Sequence, residues 1–174
     1  LLYELLAPFG FTAWDDLSDL LTAQSGKQIF SESHRILKNR KSLLLVENNF
    51  VHNEATFTIK ESDTGIDTPI NLKIERVDKI LGYTPSIVYL DVQKLSFPLQ
   101  LRKWREGDSF YPFGMKGKKK LSKFFKDEKL SLIAKEKTWV LSSGNQIVWI
   151  VGMRSDHRFK VENQTKKILK ITVL

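Results

Sequence analysis

Cationic side chains cluster between Leu101 and Phe125, and their chemistry suits the binding of phosphates. Gly114 and Gly117 lie inside this cluster and would let the backbone come close to a ligand. A predicted helix follows, and amides at a helix start carry a partial positive charge. Lysines there oppose the helix dipole, a cost that a bound anion would offset. The predicted phosphate-binding residues are Arg102, Lys103, Arg105, Lys116, Lys118, Lys119, Lys120 and Lys123.

Arg154 and Arg158 are predicted to form a second edge of this surface. Aromatic residues alternate with the cations, and such rings can stack on unpaired bases. Most of them are predicted to lie in the core, since Phe124 and Phe125 have helical spacing. Tyr111 is the candidate for an exposed stacking ring. The alternative interpretation of residues 101–125 is a run of charged side chains that face solvent and bind no ligand.

The net charge of +8 comes from the second half of the 174-residue chain. Residues 1–95 carry 10 Lys and Arg against 13 Asp and Glu, and residues 96–174 carry 18 against 7. Such an asymmetry indicates a polyanionic partner, either nucleic acid or an anionic membrane. No apolar run could span a bilayer and no signal-like leader is present, so we expect a cytoplasmic protein without a membrane partner. The absence of cysteine is compatible with that compartment.

No nucleotide-binding or metal-binding motif is found in the sequence. A phosphate-binding loop needs Gly-x-x-x-x-Gly-Lys-Ser/Thr, but Leu21 stands where the first glycine before Ser25-Gly26-Lys27 belongs. The segment 142–145, SSGN, lacks the second glycine and the aspartate of a Ser-Gly-Gly pyrophosphatase loop and is predicted to be a hairpin turn. The histidines lie far apart without partners at metal-ligand spacing, and they are His34, His52 and His157.

A Mg²⁺ site of the nuclease kind is not predicted either. Asp108 follows Gly107 and is expected to organise a turn. Asp127 and Glu128 are expected to pair with neighbouring lysines on a solvated face. We therefore predict no catalytic residue, no metal and no cofactor in this chain.

The elements that position these residues follow from the periodicity of apolar side chains. Helices are predicted over 1–7, 14–24 and 119–129. Strands are predicted over 55–60, 70–75, 86–91, 99–104 and 167–173, with hairpins over 34–46 and 138–151.

The predicted fold class is α+β, with N-terminal helices and a hairpin followed by a mainly β, basic domain with one short helix. A boundary is placed near Leu95, where the charge changes sign. It separates a linker or central substrate-recognition region, 1–95, from a basic C-terminal domain, 96–174. The sequence opens without methionine in an apolar helical pattern, so we expect a piece of a longer protein.

The basic segment also carries a family resemblance. LRKWREGDSFYPFGM over 101–115 and GKKKLSKFFKD over 117–127 are together similar to the C-terminal domain of bacterial tRNA(Ile)-lysidine synthetases. IVWIVGMRSDHRF over 147–159 resembles the closing strand and turn of that domain. The resemblance covers 96–174, and the segment 25–30 with the hairpin after His34 is similar to the preceding linker.

The resemblance implies an ATP-dependent ligase that adenylates the wobble cytidine of a CAU-anticodon isoleucine tRNA and attaches lysine, giving lysidine. In this family an N-terminal ATP-pyrophosphatase domain with a Ser-Gly-Gly-x-Asp-Ser loop does the chemistry, and the sequence contains no such loop. ATP, Mg²⁺ and lysine would therefore bind outside this chain. The part present would bind and position the tRNA.

Other functions stay open on the residues alone. A general RNA- or DNA-binding module would bind any duplex of similar length equally well. A domain that meets an acidic protein would show no affinity for nucleic acid at physiological salt, and a nuclease would need a carboxylate cluster. A homo-oligomer also stays open.

Overall fold

The computed structural model describes residues 1–48 and 55–174. The chain folds as two units, Leu1–Asn53 and Glu54–Leu174. Across the described ranges, no helix combines the length and the apolar character needed to cross a membrane.

The first unit joins two short helices to a three-stranded antiparallel sheet. The predicted hairpin is confirmed, since Asn39 pairs with Ser42 and Arg40 takes a positive φ of 49° in the turn between them. The second predicted helix ends at Leu20, four residues early, in a turn. The elements are α1 (Leu2–Leu6), α2 (Trp14–Leu20), β1 (Gln28–Phe30), β2 (His34–Asn39) and β3 (Ser42–Glu47).

A small apolar core fixes the helices of this unit on its sheet. Its buried members come from the two helices, the segment between them and β2, and they are Leu6, Phe11, Leu17, Leu20 and Ile36. Leu17 and Leu20 lie three residues apart, so α2 turns one face toward the sheet.

The second unit consists mainly of antiparallel strands with two short helices. The strands are β4 (Phe57–Ile59), β5 (Gly65–Ile66), β6 (Leu72–Val77), β7 (Ile87–Asp91), β8 (Leu99–Lys103), β9 (Ser109–Phe110), β10 (Lys119–Lys120), β11 (Trp139–Ser143), β12 (Gln146–Ile150), β13 (Arg154–Ser155) and β14 (Ile168–Val173). The helices are α3 (Leu121–Asp127) and α4 (Leu132–Glu136).

These strands form a five-stranded sheet in the order β13-β12-β11-β8-β4, a four-stranded sheet in the order β5-β6-β14-β7, and the pair β9-β10. One core contains Leu101 and Leu141 of the five-stranded sheet together with Ile74 and Ile171 of the four-stranded sheet. The two sheets therefore share their apolar faces.

Helix α3 packs on the opposite face of the five-stranded sheet. Val140, the neighbour of Leu141 on β11, is buried there against Phe124 and Phe125, because successive side chains of a strand point to opposite faces. The sequence analysis placed both phenylalanines in the core, which is confirmed. Burying these aromatic rings anchors the basic segment that precedes the helix.

The α+β class is confirmed, with one addition. The basic domain contains a second short helix, α4, which Ser131 precedes as the N-cap. The Ser131 hydroxyl accepts a hydrogen bond from the amide of Ala134 at 3.1 Å. Ser at this position is the standard N-terminal capping residue. The five-residue helix was too short for its period to be recognised in the sequence.

The structure divides the chain near residue 53, whereas the charge pattern placed the boundary near Leu95. The physical reason is strand pairing across Leu95. Strand β4 pairs with β8, and β14 at the end of the chain pairs with both β6 and β7. Residues 55–95 thus belong structurally to the basic unit, although their own charge is not basic.

Candidate nucleic-acid interface

Asp108 organises the turn that leaves strand β8, as predicted. Its Oδ2 accepts a hydrogen bond from the Arg105 amide at 2.8 Å, and Gly107 adopts a φ of +90° that favours glycine. The same carboxylate accepts hydrogen bonds from both terminal nitrogens of Arg102, at 2.8 and 2.9 Å. With side chains 16% and 14% exposed, Arg102 and Asp108 form a largely buried bidentate pair. Arg102 therefore stabilises the turn, whereas the sequence analysis assigned it to phosphate.

Asp156 performs the same task for the loop between β9 and β10. It is fully buried, and its carboxylate accepts the Tyr111 amide at 2.9 Å and the Arg158 amide at 2.9 Å. The Arg158 guanidinium donates to both carboxylate oxygens, at 2.9 and 2.8 Å, and this raises the pKa of Arg158. Phe113 adds a backbone bond to the carbonyl of Ser155 at 2.9 Å. The loop is thus fixed on the turn after β13.

Two of the predicted lysines are also engaged inside the unit. The Lys103 ammonium lies 4.4 Å from the centre of the Trp139 ring, and burial lowers the pKa of Lys103. The Lys119 ammonium lies 2.8 Å from a carboxylate oxygen of Asp127, and this hydrogen bond lowers the pKa of Asp127. The predicted pairing of Asp127 with a lysine is confirmed.

The remaining six of the ten predicted cations are exposed on the second unit. They come from the turn after β8, the loop before β10, β10 itself, α3 and β13, and we call them the exposed cations: Arg105, Lys116, Lys118, Lys120, Lys123 and Arg154. Arg154 lies against the loop, because a terminal nitrogen approaches the Phe113 carbonyl at 3.5 Å. The fold thus separates cations that have partners inside the unit from cations that face solvent.

The start of α3 differs from the prediction. Lys119 and Lys120 pair with Phe110 and Ser109 in the short sheet, so the helix begins at Leu121 instead of residue 119. The Leu121 amide already donates to the Asp108 carbonyl at 2.8 Å. A seven-residue helix whose first amide has a partner supplies little dipole for an anion. The phosphate-binding argument therefore depends on the side chains.

The Tyr111 ring is less exposed than the sequence analysis predicted. Its ring is half-buried, and the guanidinium carbon of Arg158 lies 4.5 Å from the ring centre. The exposed aromatic ring near this loop is Tyr83, 65% exposed and 6.0 Å from the Phe113 ring centre. The sequence analysis did not select Tyr83. The signal available there was its position in a short Gly-Tyr-Thr-Pro loop.

The other candidates have local partners or lie outside the described residues. Among the described residues, no group of three or more His, Asp or Glu could hold a metal ion. His157 accepts the Gly114 amide on Nδ1 at 3.1 Å, His34 lies 2.8 Å from the Ser33 hydroxyl, and His52 falls outside the described ranges. The segment 142–145 is the predicted hairpin turn between β11 and β12.

Comparison with known proteins connects this geometry to a family. Residues 1–48 match the family model described as the TilS substrate binding domain, and residues 99–172 match the TilS substrate C-terminal domain. A tRNA(Ile)-lysidine synthase of Parabacteroides distasonis is 44% identical over 100% of this chain and 41% of its own length. The corresponding protein of Bacteroides thetaiotaomicron is 35% identical over 97% of the chain and 38% of its length.

A solved structure described as the TilS C-terminal domain shares the fold. It superimposes with a TM-score of 0.56 at 18% identity, covering 69% of this chain and 98% of its own. The chain spans about two fifths of the length of the curated relatives it matches. Over residues 1–48 and 99–172, the chain therefore belongs to the TilS family, of which it carries the substrate-binding and C-terminal domains.

Proposed function

We propose that this chain binds an isoleucine tRNA and positions it for an ATP-dependent ligase that attaches lysine to the wobble cytidine of a CAU anticodon. The observation that carries the proposal is the set of exposed cations, presented by a unit that matches the TilS C-terminal domain. The relatives' name, tRNA(Ile)-lysidine synthase, supports tRNA(Ile) as the substrate and lysidine as the product. The CAU anticodon, the wobble cytidine and ATP are what the family resemblance implies. The protein is then a cytoplasmic tRNA-modifying enzyme as a whole.

The exposed cations suit a helical RNA stem. An A-form stem hides its base edges in a deep, narrow groove, so proteins recognise it through shape, phosphates and 2′-hydroxyls. Lys116, Lys118 and Lys120 come from one loop and the strand after it, which would place several ammonium groups along one phosphate backbone. Sequence-independent contacts of this kind fix the position of an RNA.

Two ion pairs fix part of the backbone of this surface. Arg102 on Asp108 fixes the turn that carries Arg105, and Arg158 on Asp156 fixes the loop that carries Lys116 and Lys118. A backbone that is already ordered loses less conformational entropy when its side chains bind. In this proposal four of the ten predicted residues (Arg102, Lys103, Lys119 and Arg158) support the surface, and the six exposed cations contact the tRNA.

The chain's part in the reaction would be positioning. Binding the tRNA at a site away from its anticodon would place the wobble base in a catalytic domain. Such positioning contributes to the rate by bringing the reactants together. ATP, Mg²⁺ and lysine would be bound by that other part of the protein. No step of the chemistry is assigned to residues of this chain.

The test is binding of the chain to isoleucine tRNA with a CAU anticodon, with methionine CAU tRNA and a plain RNA duplex as controls. If all six exposed cations neutralise phosphates, affinity falls about a thousandfold between about 50 and 200 mM salt. Preference for the isoleucine tRNA supports selection by this chain itself. Equal binding of all three RNAs instead supports a general RNA-binding module, and no binding at low salt overturns the proposal.

A further inference from the structure

The loop between β6 and β7 presents an exposed aromatic side chain. Tyr83 is 65% exposed, and its flanking residues from 81 to 86 are exposed as well. The ring nevertheless has a defined position, 5.8 Å from the Tyr89 ring at 77° and 6.0 Å from the Phe113 ring at 34°. The hydroxyl of Tyr89 also accepts the Leu81 amide at 3.4 Å. Tyr83 is thus an exposed ring with structural support on two sides.

The support continues into the basic loop. The Phe113 ring lies 6.0 Å from the His157 ring, and the neighbouring Gly114 amide donates to Nδ1 of that histidine. Phe113 is fixed through its amide by the Ser155 carbonyl. The rings of Tyr83, Phe113 and His157 therefore form a row, which we call the aromatic row, across the loop that Asp156 anchors.

Positive charge borders the aromatic row. Arg154 approaches the Phe113 carbonyl at 3.5 Å, and Lys116 and Lys118 follow in the same loop. Leu81 and Met115 add apolar surface and are 76% and 49% exposed. An apolar protein segment would leave the cations without partners. A nucleotide offers both a flat base for the rings and a phosphate for the cations.

We propose that the aromatic row, with Tyr83 at its exposed end, stacks on an unpaired base adjoining the RNA stem that the exposed cations bind. This inference rests on the proposed function, since it needs an RNA at the basic loop. It adds a single-stranded element to what the chain recognises. Duplexed bases are already stacked on each other, so the platform favours RNA with an unpaired end or bulge.

The test compares two RNAs with the same hairpin stem, one blunt and one with a short single-stranded tail. A third RNA carries the tail without its bases, so that phosphates are retained and stacking is lost. Base stacking on one aromatic ring corresponds to a preference of about 5- to 150-fold for the tailed RNA. The abasic tail should lose most of that preference.

Substitutions of Tyr83 assign the effect to its ring. Tyr83→Phe should retain the preference for the tail, and Tyr83→Ala and Tyr83→Leu should abolish it while leaving affinity for the blunt hairpin unchanged. Phe30→Ala is the matched control, because Phe30 is 63% exposed on the first unit. Thermal unfolding of each variant confirms that it is folded.

The outcomes separate the two proposals. Equal binding of blunt and tailed RNA by the unsubstituted chain overturns the stacking platform and leaves the cationic surface standing. A tail preference that survives Tyr83→Ala, or that Phe30→Ala removes equally, overturns the assignment to the aromatic row. No binding of any of these RNAs at low salt overturns both proposals.

Discussion

The two units of the chain differ most in how they use charge. Leu1–Asn53 carries five Lys and Arg against six Asp and Glu, and Glu54–Leu174 carries 23 against 14. The ten predicted cations of the second unit are divided again, since Arg102 and Arg158 pair with the carboxylates of Asp108 and Asp156 while the six exposed cations face solvent. In the proposed function, net charge thus predicts which unit binds RNA, and burial predicts which residues of that unit are available to do so.

Two arginines three residues apart test this division, and we expect the largest effect from them. Arg102→Ala leaves the buried Asp108 carboxylate without its bidentate partner, and breaking such a pair costs about 3 kcal/mol of folding free energy. Arg105→Ala removes an exposed side chain and should change stability by less than about 0.5 kcal/mol. Urea unfolding measures both values.

The two arginines should exchange roles in RNA binding. At temperatures where both variants are folded, Arg105→Ala should weaken tRNA binding and lower the salt slope by about one. Arg102→Ala should leave that slope nearly unchanged. If Arg105→Ala is the more destabilising substitution, the distinction between supporting and binding cations is wrong.

Charge reversal compares the units directly and should give the next largest effect. Lys118→Glu with Lys120→Glu changes two exposed cations and should weaken tRNA binding more than tenfold, about 1.4 kcal/mol. The matched control is Lys27→Glu with Lys41→Glu, which alters the same charge on exposed residues of the first unit. Filter binding at two salt concentrations measures both.

The control should change affinity only through weak long-range repulsion, which salt suppresses. An equal loss from both double variants would show that the whole chain attracts RNA without a defined surface. Lys119 is left out of the charge reversal, because its substitution would also break the contact with Asp127.

The sequence contained enough information for the basic unit and much of its architecture. The alternation of apolar residues predicted β8, β11, β12 and β14, and helical spacing predicted that Phe124 and Phe125 are buried. These predictions succeed because each depends on residues close together in the chain. The domain boundary depends instead on the pairing of β14 with strands that lie about 80 to 100 residues earlier in the chain, which no local pattern records.

The same distinction explains the candidate site. Arg158 and Arg154 are equivalent by residue type, yet only Arg158 lies against the buried Asp156 carboxylate. That carboxylate is fully buried, and it also accepts a hydrogen bond from the Tyr111 amide, 45 residues away in the chain. Charge patterning therefore predicts which segment binds phosphate, and the tertiary structure determines which cations remain available to do so.

Substitution of Asp127 should give the smallest effect. It tests whether its partner Lys119 only supports the fold or can also bind RNA. Its carboxylate binds Lys119, which lowers the pKa of Asp127, so the ion pair stabilises the folded chain above the ordinary aspartate pKa. That stabilisation is lost as the pH falls through the lowered pKa. Asp127→Asn should therefore lower stability slightly near neutral pH, and the difference from the unsubstituted chain should vanish in acid.

Glu128→Gln is the control that separates this ion pair from charge alone. Glu128 is the exposed neighbour of Asp127 at the end of α3, so both substitutions remove one negative charge near the negative end of the helix dipole. Only Asp127→Asn releases the Lys119 ammonium. We expect it to tighten tRNA binding a few-fold more than Glu128→Gln does at low salt, because a seventh cation becomes available to phosphate. Equal tightening by both variants would show that Lys119 contributes to the supporting structure alone.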